Sequence, residues 1–99
     1  MGRASRPKPA KLAEKLLIIR KKLGSNLSQD DILKLLKLDD DIERDRISKY
    51  ERGTLEPPLY VLLKYARLAN VWLDALVDDE IDLPKEIPSK VKSEGIKPK

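Results

Sequence analysis

Helical periodicity, interrupted at short intervals by stop signals, is the feature that most constrains this chain. Leu12, Leu16, Ile19 and Leu23 fall on one helical face, with Glu14, Lys15, Lys21 and Lys22 on the others. Gly24 follows, in the usual position of a left-handed residue that ends a helix. Ser28 before Gln29-Asp30-Asp31 is close to a capping box, with Asp in place of Glu. It predicts a second helix over 29–36 that buries Ile32, Leu33 and Leu36. A turn over 37–41 follows, in which Asp39, Asp40 and Asp41 are each candidate caps of a third helix, since a carboxylate accepts from free N–H groups there. That helix carries Ile47 and Tyr50 inward and stops at Gly53. Pro57 and Pro58 open a fourth helix with Leu59, Leu62, Leu63, Ala66 and Ala69 inward, closed by Asn70. Residues 71–77 form a short fifth, with Leu73 and Leu76 inward.

The core of such a chain is aliphatic. Trp72, Tyr50, Tyr60 and Tyr65 are its only aromatic residues, and there is no Phe. Leu, Ile, Val and Ala suit packed helices. The expected fold class is all-α, a compact bundle of about five short helices, one domain with tails. Residues 1–11 read as a flexible basic arm, 12–77 as the domain, and 78–99 as a Pro-rich charged tail, extended or disordered. Arg3, Arg6, Lys8 and Lys11 give the arm a charge of +4, and residues 84–99 carry +3. The middle, 12–83, is therefore −3. Basicity belongs to the tails, so any affinity of the middle for nucleic acid must rest on a local face.

The chain has no Cys and no His. Disulfides and thiolate metal sites are excluded, as are the commonest general base and metal ligand. No Gly-rich phosphate loop is present. An EF-hand counted from Asp39 would need Gly and Glu where Arg44 and Tyr50 stand. No enzyme activity, cofactor or metal is expected. No apolar run approaches the ~20 residues that span a bilayer, so a soluble, cytoplasmic location is expected.

Three motifs carry a resemblance. Leu27-Ser28-Gln29-Asp30-Asp31-Ile32 looks like an "LSQEEL" helix start, and Ile47-Ser48-Lys49-Tyr50-Glu51-Arg52-Gly53 looks like "ISRYERG". The stretch from Pro57 to Leu76 looks like "LLKIAKALGVSLDEL" with its lead-in. In this order they resemble the Xre/Cro-like (lambda-repressor-like) family of helix-turn-helix DNA-binding regulators, over about Leu12 to Val77. The resemblance implies a transcriptional regulator, in the first instance a repressor, whose third helix lies in the major groove of a double-stranded DNA operator, and with it a nucleoid-associated location. Domains of this fold also serve as antitoxins or adaptors, and the −3 middle keeps a protein-interaction role as the alternative.

By position in the motifs, Arg44, Asp45, Arg46, Ser48 and Lys49 are the candidate base contacts. Arg and Lys donate to guanine, and Asp accepts from cytosine N4. Gln29 and Arg52 are candidate phosphate contacts, as are Arg3, Arg6 and Lys8 of the arm. The resemblance further implies an ion pair between Arg20 and Glu51. A homodimer is expected, because one helix reads few base pairs and a two-fold pair reads two half-sites. Its expected contact is Val71, Trp72 and Ala75; alternatively Trp72 folds back on its own chain. The step from Leu27 to Ile47 is about four residues longer than the family's commonest form. Either the turn is looped out, or the third helix gains a turn at its start.

Overall fold

The computed structural model describes residues 9–88. They form α1 (Leu12–Leu23), α2 (Gln29–Leu35), α3 (Arg44–Arg52), α4 (Leu59–Ala69) and α5 (Leu73–Val77), with no strand among the described residues. Helix α1 sits at the centre, packing on α3, α4 and α5, while α2 packs on α3. Leu16 and Ile19 of α1, Ile32 of α2, Ile47 of α3, Val61 and Tyr65 of α4 and Leu76 of α5 meet in one core. Each fully buried aliphatic side chain of this kind contributes about 1.5–3 kcal/mol.

Local hydrogen bonds explain where the helices start and stop. The Ser28 hydroxyl accepts from the Asp31 N–H at 3.0 Å, and the Asp31 carboxylate accepts from the Ser28 N–H at 3.0 Å. Those bonds hold the Asp31 carboxyl below its ordinary range. Helices α2, α3 and α4 end on left-handed residues, Lys37, Gly53 and Asn70. In each case the next N–H reaches back five residues: Leu38 to Leu33, Thr54 to Lys49, and Val71 to Ala66. Leu33 with Leu38, and Ala66 with Val71, are buried, so two of these closures also seat apolar pairs.

Four expectations are corrected. Gly24 is extended, with φ 178°, not left-handed; a Cβ there would meet Leu27 Cγ at 3.2 Å, so close approach is what favours its small size. Helix α4 turns Val61 and Tyr65 inward with Leu62, Ala66 and Ala69, and leaves Leu59 and Leu63 exposed. Packing against α1 and α5 selects that face. Asp39, Asp40 and Asp41 do not cap α3. Leu38 is fully buried and Ile42 packs on the core, which anchors the turn and leaves the three carboxylates in solvent; Glu43 stands at the N-cap with no side-chain cap bond. The long step from α2 is taken up in this turn, since α3 starts only three residues before Ile47.

The fourth correction concerns the segment after α5. Residues 78–88 have no regular structure, yet they pack along α1 from its start to its end. Asp79 accepts from the N–H groups of Ala10 and Lys11, at 2.8 and 3.0 Å, supplying α1 with a cap from the far end of the chain. The buried Lys15 ammonium donates to the carbonyls of Ala75, Asp78 and Ile81, at 2.8, 2.9 and 2.6 Å. Burial lowers its pKa, against the pull of Asp79, Asp82 and Asp78. Lys22 donates to the Lys85 carbonyl, and Ile87 is buried. No helix among the described residues is long and apolar enough to cross a membrane.

Candidate nucleic-acid interface

Helix α3 has two faces with different chemistry. Ile47 and Tyr50 are buried, while Arg44, Asp45, Arg46, Lys49 and Arg52 are exposed and Ser48 is half-buried. Gly53, at φ 79°, ends the helix against α1, where its Cβ would stand 3.5 Å from that of Ala13. Burial raises the Tyr50 phenol's pKa, against the nearby Arg46.

A charged network fixes the back of this helix. Arg20 on α1 meets Glu51 on α3 side-on: Nε to Oε2 at 2.8 Å and Nη2 to Oε1 at 3.0 Å. Arg20 Nη1 also donates to the Leu27 carbonyl at 2.6 Å. The Glu51 side chain is 4% exposed and that of Arg20 17%. Its hydrogen bonds to Glu51 raise the Arg20 pKa further, against burial. Such a two-pronged pair, with Nη1 bonded as well, is the geometry that offsets desolvation. Gln29 Nε2 donates to Glu51 Oε1 at 3.2 Å, so one carboxylate ties α1, α2 and α3 together. Motif order indicated the Arg20–Glu51 meeting; nothing in the spacing indicated Gln29 as the third member.

On the outer face the charges pair with each other. Arg44 Nη1 lies 3.5 Å from Asp30 Oδ2 on α2, and Lys49 Nζ lies 3.7 Å from Asp45 Oδ2 one turn earlier on α3. Arg52 Nε donates to the Ser48 carbonyl at 3.3 Å. The Asp30 contact was not expected from sequence, since it depends on how α2 crosses α3.

The expected dimer contact is corrected in part. Val71 is 2% exposed and Ala75 is fully buried, both inside the bundle's own core, because Val71 closes α4 against Ala66 and Ala75 faces α1. Trp72 is exposed. Arg3, Arg6 and Lys8 lie outside the described residues. Pro9 and Ala10 line a shallow cavity with Tyr50, Gly53, Leu55 and Pro57, so the chain enters α1 beside the end of α3. Compared with known proteins, the chain matches no family model, no curated protein and no solved structure.

Proposed function

We propose that this chain is a sequence-specific regulator that binds double-stranded DNA with the outer face of α3. The observation that carries the reading is the division of α3. Its inner face is tied by Glu51 to α1 and α2, while Arg44, Asp45, Arg46 and Lys49 are exposed, with Arg44 paired to Asp30 of α2 and Lys49 to Asp45. A helix held this way presents a rigid row of donors and an acceptor suited to base edges in the major groove. The ordered Xre/Cro-like motifs support the same orientation. Gln29 and Arg52 flank that face and suit phosphate, with Arg3, Arg6 and Lys8 of the basic arm as further phosphate contacts. A two-fold pair of chains would read two half-sites; with Val71 and Ala75 buried, its contact lies elsewhere than that pair. Repression by occlusion of a promoter is the simplest outcome of such binding.

Selection of duplexes from a randomised pool, followed by titration of the enriched and scrambled sequences at several salt concentrations, tests this. The full chain is expected to enrich one site. Lys49→Ala is expected to lose about 1–3 kcal/mol of discrimination, and Arg52→Ala to weaken both duplexes and flatten the salt slope by about 0.9. No enrichment and no salt-dependent binding would overturn the proposal and favour the adaptor reading, which the −3 middle and the solvent-facing Asp39–Asp41 turn otherwise support.

A further inference from the structure

We infer that Asp45 and Lys49 act as one unit that reads a single G·C base pair and rejects A·T. This rests on the DNA-binding reading above. Asp45 is the one exposed acid of α3, on the face that would enter a groove lined by phosphates. A carboxylate there is repelled by the backbone, and the only partners the major groove offers it are amino groups, cytosine N4 and adenine N6. Lys49 stands one turn later with its ammonium 3.7 Å from the Asp45 carboxylate, and both side chains are about half exposed or more. One donor and one acceptor are therefore presented side by side.

That pattern distinguishes the two base pairs. Across the major-groove edge of G·C, two acceptors, guanine N7 and O6, are followed by the cytosine N4 donor. Lys49 matches the acceptors and Asp45 the donor. Across A·T the single adenine donor lies between two acceptors, N7 and thymine O4, with the methyl beyond. A carboxylate brought to adenine N6 meets an acceptor on each side, and the ammonium is left against only one of them. The ion pair also keeps the couple neutral as it approaches the phosphates, so the acid costs the complex little until it meets the wrong base. The purely structural role open to Asp45 is different: an acid in the first turn of a helix, with Lys at i+4, stabilises the helix itself.

Selection from a randomised duplex pool with the full chain, Asp45→Ala, Asp45→Asn and Lys49→Ala separates these roles. All three substitutions fall on exposed positions, and a circular-dichroism melt checks that each variant remains folded. The unchanged chain is expected to enrich a site with one G·C pair whose exchange for A·T weakens binding about ten- to hundredfold. Asp45→Ala is expected to lose most of that penalty while binding scrambled duplex more tightly, because a repelled charge is gone. Lys49→Ala should lose the same penalty and bind scrambled duplex more weakly. An Asp45→Ala protein that keeps the same site with the same penalty would overturn the inference and leave Asp45 a helix-stabilising residue. If the unchanged chain enriches nothing, the DNA-binding reading falls and this inference with it; enrichment with an indifferent Asp45 removes this inference alone.

Discussion

Glu51→Gln keeps the side chain's shape and removes its charge, which isolates what the carboxylate does. Glu51 accepts from Arg20 Nε, Arg20 Nη2 and Gln29 Nε2. A glutamine retains one acceptor oxygen; placed where Oε1 stands it keeps Arg20 Nη2 and Gln29 Nε2, and its amide N–H groups are turned toward the Arg20 Nε donor. The guanidinium then keeps the Leu27 carbonyl but loses its countercharge. Removing one member of a buried pair costs about 3–5 kcal/mol. Arg20 is 17% exposed and recovers some hydration, so about 2–4 kcal/mol is expected here. For a domain of this size that lowers Tm by about 10–25 °C, out of a total stability of about 5–15 kcal/mol. Urea titration followed by circular dichroism reads it directly as a lower midpoint with an unchanged slope. The companion protein carries Arg20→Met with Glu51→Leu, which removes both charges and fills the space. It is expected to regain much of the loss. A Glu51→Gln loss below about 1 kcal/mol would place the pair among surface contacts and refute the account of how α3 is held.

Three further outcomes follow from the same structure. Lys37 ends α2 at φ 60°, a conformation that favours glycine, so Lys37→Gly is expected to raise stability by about 0.5–1 kcal/mol, read as a higher urea midpoint. The Tyr65 hydroxyl is buried without a hydrogen-bond partner among the described residues, and burial pushes its pKa far above the ordinary phenol; Tyr65→Phe is expected to leave stability unchanged or raise it by up to about 1 kcal/mol, and a clear loss would mean the hydroxyl is bonded. The N–H groups of Ala10 and Lys11 hold the Asp79 carboxyl below its ordinary range. The resulting stabilisation is complete above about pH 4 and is lost as pH falls through the lower folded-state value, so Asp79→Asn should flatten part of the acid limb of a midpoint-against-pH curve.

Helix positions were legible because their signals are local. Ser28 with Asp31, Gly53 and Asn70 act on backbone groups within five residues, and the structure has helix ends at each. Inward faces were legible where apolar residues lie at regular spacing, as for Leu12, Leu16 and Ile19. They were misread in α4, where the run of apolar residues offers two overlapping stripes and only packing against α1 and α5 chooses the one with Val61, Leu62, Tyr65, Ala66 and Ala69. The packed segment 78–88 was hidden for another reason. Its acids and prolines look like those of a solvated tail, and what holds it is one buried ammonium meeting three carbonyls that are separated from Lys15 by 60 or more positions. Lys15 itself stands in the sequence as an ordinary surface lysine. The Asp30–Arg44 and Gln29–Glu51 contacts depend on the crossing of α2 over α3, which no single-helix pattern encodes.

The arrangement of charge on α3 separates what keeps the helix in place from what it presents. Ile47, Tyr50 and Glu51 face inward and are bound to the core or to Arg20 and Gln29. Arg44, Asp45, Lys49 and Arg52 face outward, and among the described residues their side chains pair with Asp30 of α2 or within α3 itself. Exchanging an outer residue therefore perturbs weak exposed contacts, each worth about 0–1 kcal/mol, whereas exchanging an inner one disturbs the junction of three helices. On the proposed reading, outer residues would be free to set which sequence is read without a comparable cost to folding. The Gln29–Glu51 bond is the point where the two roles touch. Gln29 is half-buried at the start of α2 and beside the proposed phosphate path, so the carboxylate that anchors α3 also fixes the amide that would meet the backbone. On the proposed reading, a change at Glu51 is expected to lower stability and DNA affinity together, while a change at Asp45 or Lys49 is expected to act mainly on recognition, with the weak exposed pair between them as its small cost to folding.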